Sequence, residues 1–437
     1  MHAITPSFTP SGVPTSYYNL FAAAKLEQAP PLDPQSGQPM APDKLAALFP
    51  MALLEQEMTS EVHVPVPGPV LEAYAAFRPT PLRRAALFEK ALGTRCTILY
   101  KYEGASPVGS HKLNTALAQA FANQQQGVRR IATETGAGQW GTALAYACRR
   151  FEIDCSVYMV RVSFDQKPAR RTMMELYGAT VRASPSEATT FGRAVLADNP
   201  SHPGSLGIAI SEAIEDAVTH PGTKYSLGSV LNHVLLHQTV IGQEALRQLD
   251  ELGLFPDVVI GCHGGGSNFA GVAFPFVHHK LDGKALRIIA AEPQSCPTLT
   301  RGEYRYDHGD TAKLTPLLKM YTLGSDFVPD PIHAGGLRYH GAAPQVSALV
   351  NRGLVEAQAF EQMETFRAAH TFAISEGVIP APESAHAIAA TVRAAREADQ
   401  AGEPRVILFN MSGHGLLELG AYQAYMQARQ AESKPAP

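Results

Sequence analysis

Lys112 lies at the start of a helical pattern, in a position where a lysine can do chemistry. Apolar residues recur after it with the spacing of a helix that buries one face, at Leu113, Ala116, Leu117, Ala120 and Phe121. We expect Ser110 to cap this helix and Gly127 to end it. The helix dipole disfavours a cation in the first turn, and burial lowers a lysine pKa further. The alternative is an ordinary surface lysine, but a neutral amine here would suit Schiff-base chemistry.

Three glycine-rich stretches favour the chemical interpretation. They are Glu134-Thr135-Gly136-Ala137-Gly138-Gln139-Trp140-Gly141, Gly264-Gly265-Gly266-Ser267-Asn268 and Ser412-Gly413-His414-Gly415. Each follows a short β-like run, over residues 130–133, 257–262 and 405–410. A turn from a strand into a helix presents backbone N–H groups to an anion. One such turn is weak support, whereas three of them together with a candidate Schiff-base lysine predict an active site.

Composition limits the class of protein. The 437 residues are 45% hydrophobic and 17% charged, as expected for a globular enzyme, and are enough for two or three domains. The net charge of −4 argues against a nucleic-acid or anionic-membrane surface. No apolar run approaches the roughly 18 residues of a membrane span, and Met1–Leu20 lacks the basic region of a signal peptide. We therefore expect a cytoplasmic protein without nucleic-acid or membrane partners.

Cysteine and histidine usage gives no metal motif. The five cysteines show no CxxC spacing and are expected to be reduced, mostly buried thiols: Cys96, Cys148, Cys155, Cys262 and Cys296. Among the 16 histidines there is no HExxH. His233 and His237 have a ligand spacing on a helix, but no third ligand is evident. The sequence therefore predicts no metal site built from side chains.

The order of strand and helix patterns indicates an α/β fold. Strands are expected at 97–102, 130–133, 156–160, 180–183, 257–262, 286–291 and 405–410. Helices are expected between them, including long ones at Leu231–Leu252 and Val355–Ser375. Such alternation predicts parallel sheets covered on both faces. Residues 293–345 lack strong periodicity, and so long an irregular stretch usually carries function.

These motifs resemble, in the same order, those of the tryptophan synthase β subunit. A further matching stretch is Glu376-Gly377-Val378-Ile379-Pro380-Ala381-Pro382-Glu383-Ser384-Ala385-His386-Ala387, and the likeness runs from about Arg78 to Gly415. The N-terminal segment and His333–Gly341 are typical of the divergent second class of these chains. The resemblance implies a pyridoxal 5′-phosphate (PLP) enzyme of fold type II, with two open parallel-sheet domains and the cofactor between them. It also implies an N-terminal extension and part of the large domain at 1–77, a smaller, partly mobile domain at 78–228 and a large cofactor-binding domain at 229–437.

The resemblance assigns cofactor contacts by position. Lys112 would bind PLP covalently and move the substrate α-proton, with His111 beside the cofactor phosphate. The phosphate cradle would be Gly264, Gly265, Gly266, Ser267 and Asn268, with Ser205 touching the same phosphate. Ser412 would bond the pyridine nitrogen, where a neutral hydroxyl favours β-elimination and replacement over transamination. Glu376 would lie near the cofactor ring. The family also has a monovalent-cation site for K⁺ or Na⁺, built mostly from backbone carbonyls.

The same resemblance assigns the substrate contacts. Glu134 would help the β-hydroxyl leave and then guide the attack of indole, for which a carboxyl with a raised pKa is suited. The alternative is a glutamate satisfied by the helix dipole. The substrate carboxylate would be bound by Thr135, Gly136, Ala137, Gly138 and Gln139. The family closes its site with an ion pair, and here Arg338 and Asp165 occupy the two positions with their charges exchanged. Alternatively, Arg338 faces the ligand and favours an anionic leaving group such as phosphate.

The predicted reaction is a PLP-dependent β-replacement that joins indole to L-serine, or to O-phospho-L-serine, and yields L-tryptophan. Two alternatives remain: the same chemistry with another nucleophile or donor, and a non-catalytic paralogue such as a metabolite sensor. The resemblance to the divergent class also predicts a homodimer that works without an α subunit. The basis is the N-terminal segment, which would cover surface that a partner would otherwise use.

Overall fold

The computed structural model describes residues 12–432. We expect from the sequence that the chain does not begin with a signal peptide. For residues 1–11 this expectation lies outside the described range. None of the helices in the described range combines the length and the hydropathy that a bilayer-spanning segment needs.

The strands, in chain order, are β1 Ser16–Tyr18, β2 His63–Pro65, β3 Leu82–Arg84, β4 Thr97–Tyr102, β5 Arg130–Thr135, β6 Asp154–Val160, β7 Thr180–Ser184, β8 Thr223–Ser226, β9 Val258–Cys262, β10 Arg287–Pro293, β11 Glu303–His308, β12 Leu317–Thr322, β13 Glu356–Phe360 and β14 Val406–Met411. The helices are α1 Leu20–Ala23, α2 Pro42–Leu45, α3 Met51–Glu57, α4 Gly68–Ala75, α5 Ala86–Leu92, α6 Lys112–Gln125, α7 Gln139–Arg150, α8 Arg161–Gln166, α9 Pro168–Leu176, α10 Thr190–Asp198, α11 Leu206–Thr219, α12 Asn232–Gln238, α13 Val240–Glu251, α14 Ser267–Leu281, α15 Thr298–Arg301, α16 Pro344–Asn351, α17 Gln362–Glu376, α18 Ser384–Ala401 and α19 Leu419–Glu432.

Two open sheets carry the fold. One has the strand order β13-β10-β9-β14-β4-β3 and is parallel except for β3, which runs antiparallel to β4. The other has the order β7-β6-β5-β8 and is parallel throughout. Helices pack on these sheets, and strands such as β9 are buried along their whole length, as parallel strands require. The predicted α/β class with two parallel-sheet units is confirmed.

Sheet membership does not follow the predicted domain boundaries. Strands β3 and β4 lie within residues 78–228, the range assigned to the smaller domain, yet they pair in the six-stranded sheet. Strand β4 lies directly beside β14, with Tyr100 opposite Phe409 and their rings stacked 5.7 Å apart. The chain therefore leaves the six-stranded sheet only after β4, and the division at residues 77 and 228 stays a prediction.

Two predicted helices differ in the structure. The helix expected over Leu231–Leu252 is divided into α12 and α13 at Thr239, whose hydroxyl accepts a hydrogen bond from Tyr18 N–H at 2.9 Å. The helix expected over Val355–Ser375 begins only at Gln362. Residues before it form β13, which pairs with β10 and completes one edge of the six-stranded sheet. Pairing with a neighbouring strand thus outweighs the helical preference of this alanine-containing segment.

A buried cluster of charged side chains fixes the approach to Lys112. Arg78 bonds both Glu103 and Glu244, and Lys101 Nζ lies 2.7 Å from Glu244 Oε2; all four side chains have no solvent exposure. Arg78 Nη1 also donates to Asn114 Oδ1 at 2.7 Å, two residues after Lys112. The cluster joins the loop after α4, strand β4, helix α13 and the first turn of α6, and so it positions the lysine helix against the six-stranded sheet.

Removing Arg78 is expected to destabilise the fold, because Glu103 would remain buried without its ion-pair partner and Glu244 would keep only Lys101. Arg78→Met should lower the free energy of unfolding by about 3–5 kcal/mol, measured by urea denaturation. The matched control is Arg84→Met, since Arg84 pairs with Glu89 at 2.9 Å while 59% of its side chain is exposed. That control should cost less than about 1 kcal/mol. Equal losses in both variants would contradict a special role for the buried cluster.

Candidate active site

A cleft with an empty volume of about 610 Å³ lies where the carboxyl ends of strands from both sheets meet. The loops that follow β9 and β14 line it, as does the first turn of α6. Its lining includes Gly109, Ser110, His111, Lys112, Gln139, Arg170, Ser229, Gly264, Gly265, Gly266, Ser267, Asn268, Tyr339, Glu383, Ser412 and His414. In open α/β sheets ligands bind at such edges.

Lys112 is the first residue of α6 and lies on the wall of this cleft. Burial lowers the pKa of its amine, and electrostatic interactions with Glu383, Cys262 and Glu134 oppose that shift. The helix does not use the predicted cap: His111 occupies the cap position, and Ser110 Oγ has no hydrogen-bond partner among the described residues. The helix ends at Gln125, just before Gly127, as predicted.

His111 is held next to the third glycine-rich stretch. Its backbone N–H donates to Ser412 O at 2.9 Å, and its Nδ1 lies 3.2 Å from the same oxygen. Its Nε2 lies 3.4 Å from Ser267 Oγ. Burial lowers the pKa of His111 to about 3, so the imidazole is neutral at physiological pH.

The second glycine-rich stretch forms a cradle in front of α14. Gly266 has a φ of +109° directly before the helix starts at Ser267, a conformation that glycine adopts readily. A Cβ on Gly265 would lie 2.5 Å from Ser229 Oγ, and one on Gly264 would lie 2.7 Å from Leu337 Cα. The helix start therefore offers free backbone N–H groups at a place where no larger residue fits, which is the arrangement of a phosphate site.

Ser229, not Ser205, is the serine beside this cradle. Ser205 lies outside the cleft, where its hydroxyl accepts a hydrogen bond from Ile208 N–H at 3.2 Å and caps α11. It lines a separate small cavity together with Gly136 and Arg338. Ser229 was not recognised from the sequence because the strand before it, β8, has only four residues and no apolar run. The available signal was the Gly228-Ser229 turn that follows it.

Ser412 lies among neutral groups at the end of β14. Its hydroxyl is 2.8 Å from Ser384 Oγ and 3.5 Å from Cys262 Sγ. Burial raises the pKa of Cys262 to about 12, so this thiol keeps its proton. All five cysteines are buried and free, as predicted. A hydroxyl in such surroundings would leave a pyridine nitrogen unprotonated, in agreement with the role expected for Ser412.

Glu383, not Glu376, is the glutamate at the cleft. Glu376 lies at the end of α17, where its Oε1 accepts a hydrogen bond from Phe88 N–H at 2.8 Å. Glu383 Oε1 accepts one from Gly336 N–H at 2.9 Å. Burial would raise the pKa of Glu383, but Lys167 and hydrogen bonds from Gly336 and Gln139 outweigh it and lower that pKa. Both glutamates belong to the stretch 376–387 that carries the family resemblance, and only the fold shows which of them reaches the cleft.

Glu134 is buried at the end of β5, near Lys112. Its Oε2 accepts a hydrogen bond from Tyr225 Oη at 2.7 Å. Burial raises its pKa to about 8, although the Tyr225 hydrogen bond and the Lys112 charge oppose this. A carboxyl of this kind carries a proton at neutral pH and can donate it, as general acid catalysis requires.

The loop after Glu134 packs between the two sheets. Thr135 Oγ1 accepts a hydrogen bond from Gly141 N–H at 3.1 Å, and Gly138 has a φ of +93° before α7 begins at Gln139. Gln139 lines the cleft, whereas Gly136 lines the small cavity that contains Arg338. A Cβ on Gly136 would lie 2.9 Å from Gly335 O, so this loop approaches the opposite backbone closely. Ala137 contacts Gly335 from the same loop.

Arg338 and Asp165 are not paired in this structure, and the ion pair expected when the site closes on substrate stays a prediction. Asp165 is exposed, while Arg338 is buried and donates from Nη2 to Pro329 O at 2.8 Å. The contact across the cleft is instead made by Arg170 of α9, whose Nε donates to Glu418 Oε1 at 2.9 Å with both side chains fully buried. Arg170, near the start of α9, therefore joins the two sheet units.

The histidine pair at the ligand spacing is occupied by protein partners. His237 lies 3.0 Å from Thr115 Oγ1 and 2.6 Å from Gln56 Oε1, and His233 lies 2.7 Å from Glu57 Oε2. Within residues 12–432 no three histidine, cysteine or acidic side chains come together as a metal site would need.

The residues present fit PLP. A phosphate would meet free N–H groups and the Ser229 hydroxyl at the cradle, where any Cβ would intrude. The lysine of lowered pKa and the neutral Ser412 lie on the same cleft. The cradle therefore matches the phosphate of the cofactor, the lysine matches its aldehyde, and Ser412 matches its ring nitrogen.

Solved structures share this fold at low sequence identity. A fungal L-serine ammonia-lyase from Rhizomucor miehei superposes with a TM-score of 0.58 at 15% identity, over 80% of this chain and 97% of that chain. Maize serine racemase gives a TM-score of 0.56 at 19% identity, over 82% of this chain and 98% of that one.

Sequence comparison is more specific. The family profile described as "Pyridoxal-phosphate dependent enzyme" matches residues 74–413. "Tryptophan synthase beta chain 2" of Thermotoga maritima is 59% identical over 96% of this chain and 99% of its own length. The protein of the same description from Aeropyrum pernix is 58% identical over 97% of this chain and 95% of its own length. The chain thus belongs to the tryptophan synthase β chain family of pyridoxal-phosphate dependent enzymes.

Proposed function

We propose that this protein makes L-tryptophan from indole and L-serine by PLP-dependent β-replacement. The observation that carries the proposal is the cleft itself, in which a lysine of lowered pKa lies between a glycine cradle and a neutral serine, close to a buried glutamate. Relatives that match nearly the whole chain are named tryptophan synthase β chains. A non-catalytic paralogue would have no need to keep Lys112 and Glu134 in these environments.

Each of the residues at the cleft has a separate role in this reaction. When bound, PLP supplies the electron sink that lets an amino acid lose and replace its β-substituent. Lys112, through its neutral amine, would hold the cofactor and would take the proton from the substrate α-carbon. Glu134, protonated below about pH 8, donates its proton to the β-oxygen as that oxygen leaves. Backbone N–H groups of residues 135–139, which lead from the end of β5 into α7, hold the substrate carboxylate.

A homodimer that needs no α subunit, in the cytoplasm, belongs to the same proposal. Helices α5 and α17 are in contact, and each exposes a large apolar side chain, Leu87 at 59% and Ile374 at 72% exposure. Apolar residues exposed in this way on neighbouring helices favour association with another surface. The N-terminal segment lies on the hairpin of β11 and β12, where Leu32 N–H donates to Leu317 O at 2.9 Å. It covers surface that a partner chain would otherwise contact.

Lys112→Ala should abolish tryptophan formation and the visible absorbance of the bound cofactor, because no other amine occupies its position. The assay contains indole and L-serine and no α chain. The molar mass of the wild type, measured by light scattering, tests the proposed dimer. Circular dichroism should show an intact fold. Lys90→Ala, on an exposed face of α5, is the matched control and should keep both properties. A Lys112→Ala variant that keeps the absorbance band would contradict the assignment.

Ser229→Ala should weaken PLP binding, because a hydroxyl bonded to a charged phosphate is lost. The dissociation constant should rise by roughly 10–100-fold, measured by fluorescence titration of the apoenzyme. Ser205→Ala should leave it within about twofold, since that hydroxyl caps α11. The opposite ranking of the two variants would restore Ser205 as the phosphate contact.

O-Phospho-L-serine is a second candidate donor, and Arg338 is the observation that favours it. Arg338 Nε is buried and has no hydrogen-bond partner among the described residues. Its small cavity adjoins the main cleft, because Leu206 lines both. A guanidinium with an available N–H is well suited to a phosphate leaving group.

Arg338→Met separates the two donors. If Arg338 binds the leaving phosphate, kcat/KM should fall by roughly 10–100-fold with phosphoserine and stay nearly unchanged with serine. The measurement is steady-state tryptophan formation with each donor at saturating indole. Equal losses with both donors would show that Arg338 is structural, and no loss with either would exclude it from donor binding.

A further inference from the structure

The hydroxyl of Tyr225 meets the carboxyl of Glu134 across two neighbouring strands. In the parallel pair of β5 and β8, Ala132 lies opposite Tyr225, and Glu134 follows two residues later on the same face of the sheet. Tyr225 Oη donates to Glu134 Oε2 at 2.7 Å, and each residue is only 2% exposed. A hydrogen bond between buried groups is not weakened by water, so it can fix the carboxyl in one orientation.

The N-terminal segment holds Tyr225 in place. Strand β8 is the edge strand of the four-stranded sheet, and Ala46–Phe49 runs along its free side. Tyr225 N–H donates to Leu48 O at 2.9 Å, and Lys224 Nζ donates to the carbonyl oxygens of Ala46 and Ala47. The ring of Phe49 packs on the ring of Tyr225, with 5.8 Å between their centroids. The N-terminal segment and the Glu134 carboxyl are therefore connected through one tyrosine.

We infer that Tyr225 is a positioning residue for Glu134: its hydroxyl orients the carboxyl and stabilises the ionised form, while Ala46–Phe49 keeps the tyrosine in register. With Oε2 bonded to Tyr225, Oε1 is the oxygen that can act on a substrate. The consequence for turnover rests on the role proposed above for Glu134, whereas the effect on its titration does not.

The groups around Tyr225 and Glu134 determine whether loss of the Tyr225 hydroxyl raises or lowers the pKa of Glu134. Burial raises the pKa of Glu134 to about 8, and the Tyr225 hydrogen bond and Lys112 lower it. Tyr339 and Asp310 also act on Tyr225, and Tyr339 interacts with Glu134. If the Tyr225 hydroxyl is removed, the burial remains and the opposing hydrogen bond is lost. Glu134 should then keep its proton to a higher pH.

Tyr225→Phe tests the inference by infrared titration of the holoenzyme. The band of the protonated carboxyl is assigned to Glu134 by its loss in Glu134→Gln, and its intensity is followed against pH. In Tyr225→Phe the midpoint should move upward by about 1–2 units. The decline of kcat that accompanies deprotonation of Glu134 should move upward with it, with KM for serine unchanged. An unchanged midpoint in Tyr225→Phe would overturn the inference.

Tyr158→Phe is the matched control. Tyr158 is also buried in this sheet and lies directly opposite Glu134 on β6, but its hydroxyl donates to Asp216 Oδ2 at 3.0 Å, so the variant loses a comparable bond that does not involve the Glu134 carboxyl. Its titration midpoint should equal that of the wild type. An upward shift as large as that of Tyr225→Phe would overturn the inference, because loss of any buried hydroxyl would then suffice.

Two further measurements keep the inference testable if Tyr225→Phe does not fold. In the wild type, the Glu134 carboxyl band should have the frequency of a hydrogen-bonded acid, and the frequency of a free acid would overturn the inference. Phe49→Ala should raise the midpoint in the same direction by a smaller amount, and no change would overturn the role of the N-terminal segment. Full turnover in Glu134→Gln would instead refute the catalytic role of Glu134 and leave the titration result standing.

Discussion

Four charged side chains without access to water, those of Arg78, Lys101, Glu103 and Glu244, hold the active site in its place. Their charges sum to zero, and each has a partner of opposite sign, which is the condition under which burial of ions is tolerated. Asn114 ties this cluster to the lysine helix: it accepts from Arg78, its side-chain amide donates to Glu103 and Gln238, and its backbone carbonyl accepts from Tyr74. The loop between β4 and Lys112 is thus fixed by contacts that cannot exchange with solvent.

The enclosed cleft shifts its acids and bases toward their neutral forms. Burial lowers the pKa of His111 to about 3 and that of the Lys112 amine, and it raises the pKa of Glu134 to about 8 and that of Cys262 to about 12. Glu383 is the exception, because Lys167 and two hydrogen bonds favour its ionised form. The low polarity that keeps the Lys112 amine nucleophilic also keeps a proton on Glu134. One physical property of the cleft therefore prepares both groups that the proposed reaction uses.

Sequence predicted the features that depend on local pattern. Strand β4 was predicted at its observed bounds, and the glycine-rich loops follow β5, β9 and β14 as expected, because each of these strands contains a short run of residues that favour β structure. The features that depend on tertiary contacts were missed. Strand β8 has the sequence Thr-Lys-Tyr-Ser and no apolar run, so neither Tyr225 nor Ser229 could be recognised. Glu376 and Glu383 could not be distinguished from the sequence, because only the fold shows that Glu383 contacts Gly336 whereas Glu376 contacts Phe88. Strand β13 is stabilised by its parallel pairing with β10, which the sequence does not show.

The position of the N-terminal segment along β8 also bears on solubility. An uncovered edge strand presents unpaired backbone groups to any other strand, and proteins usually protect such edges. Here the Leu48 carbonyl accepts from the β8 backbone, and the Phe49 ring covers Tyr225. A chain shortened beyond Phe49 would expose this edge beside an apolar core, and it would tend to aggregate by pairing between molecules even where the catalytic cleft remained intact.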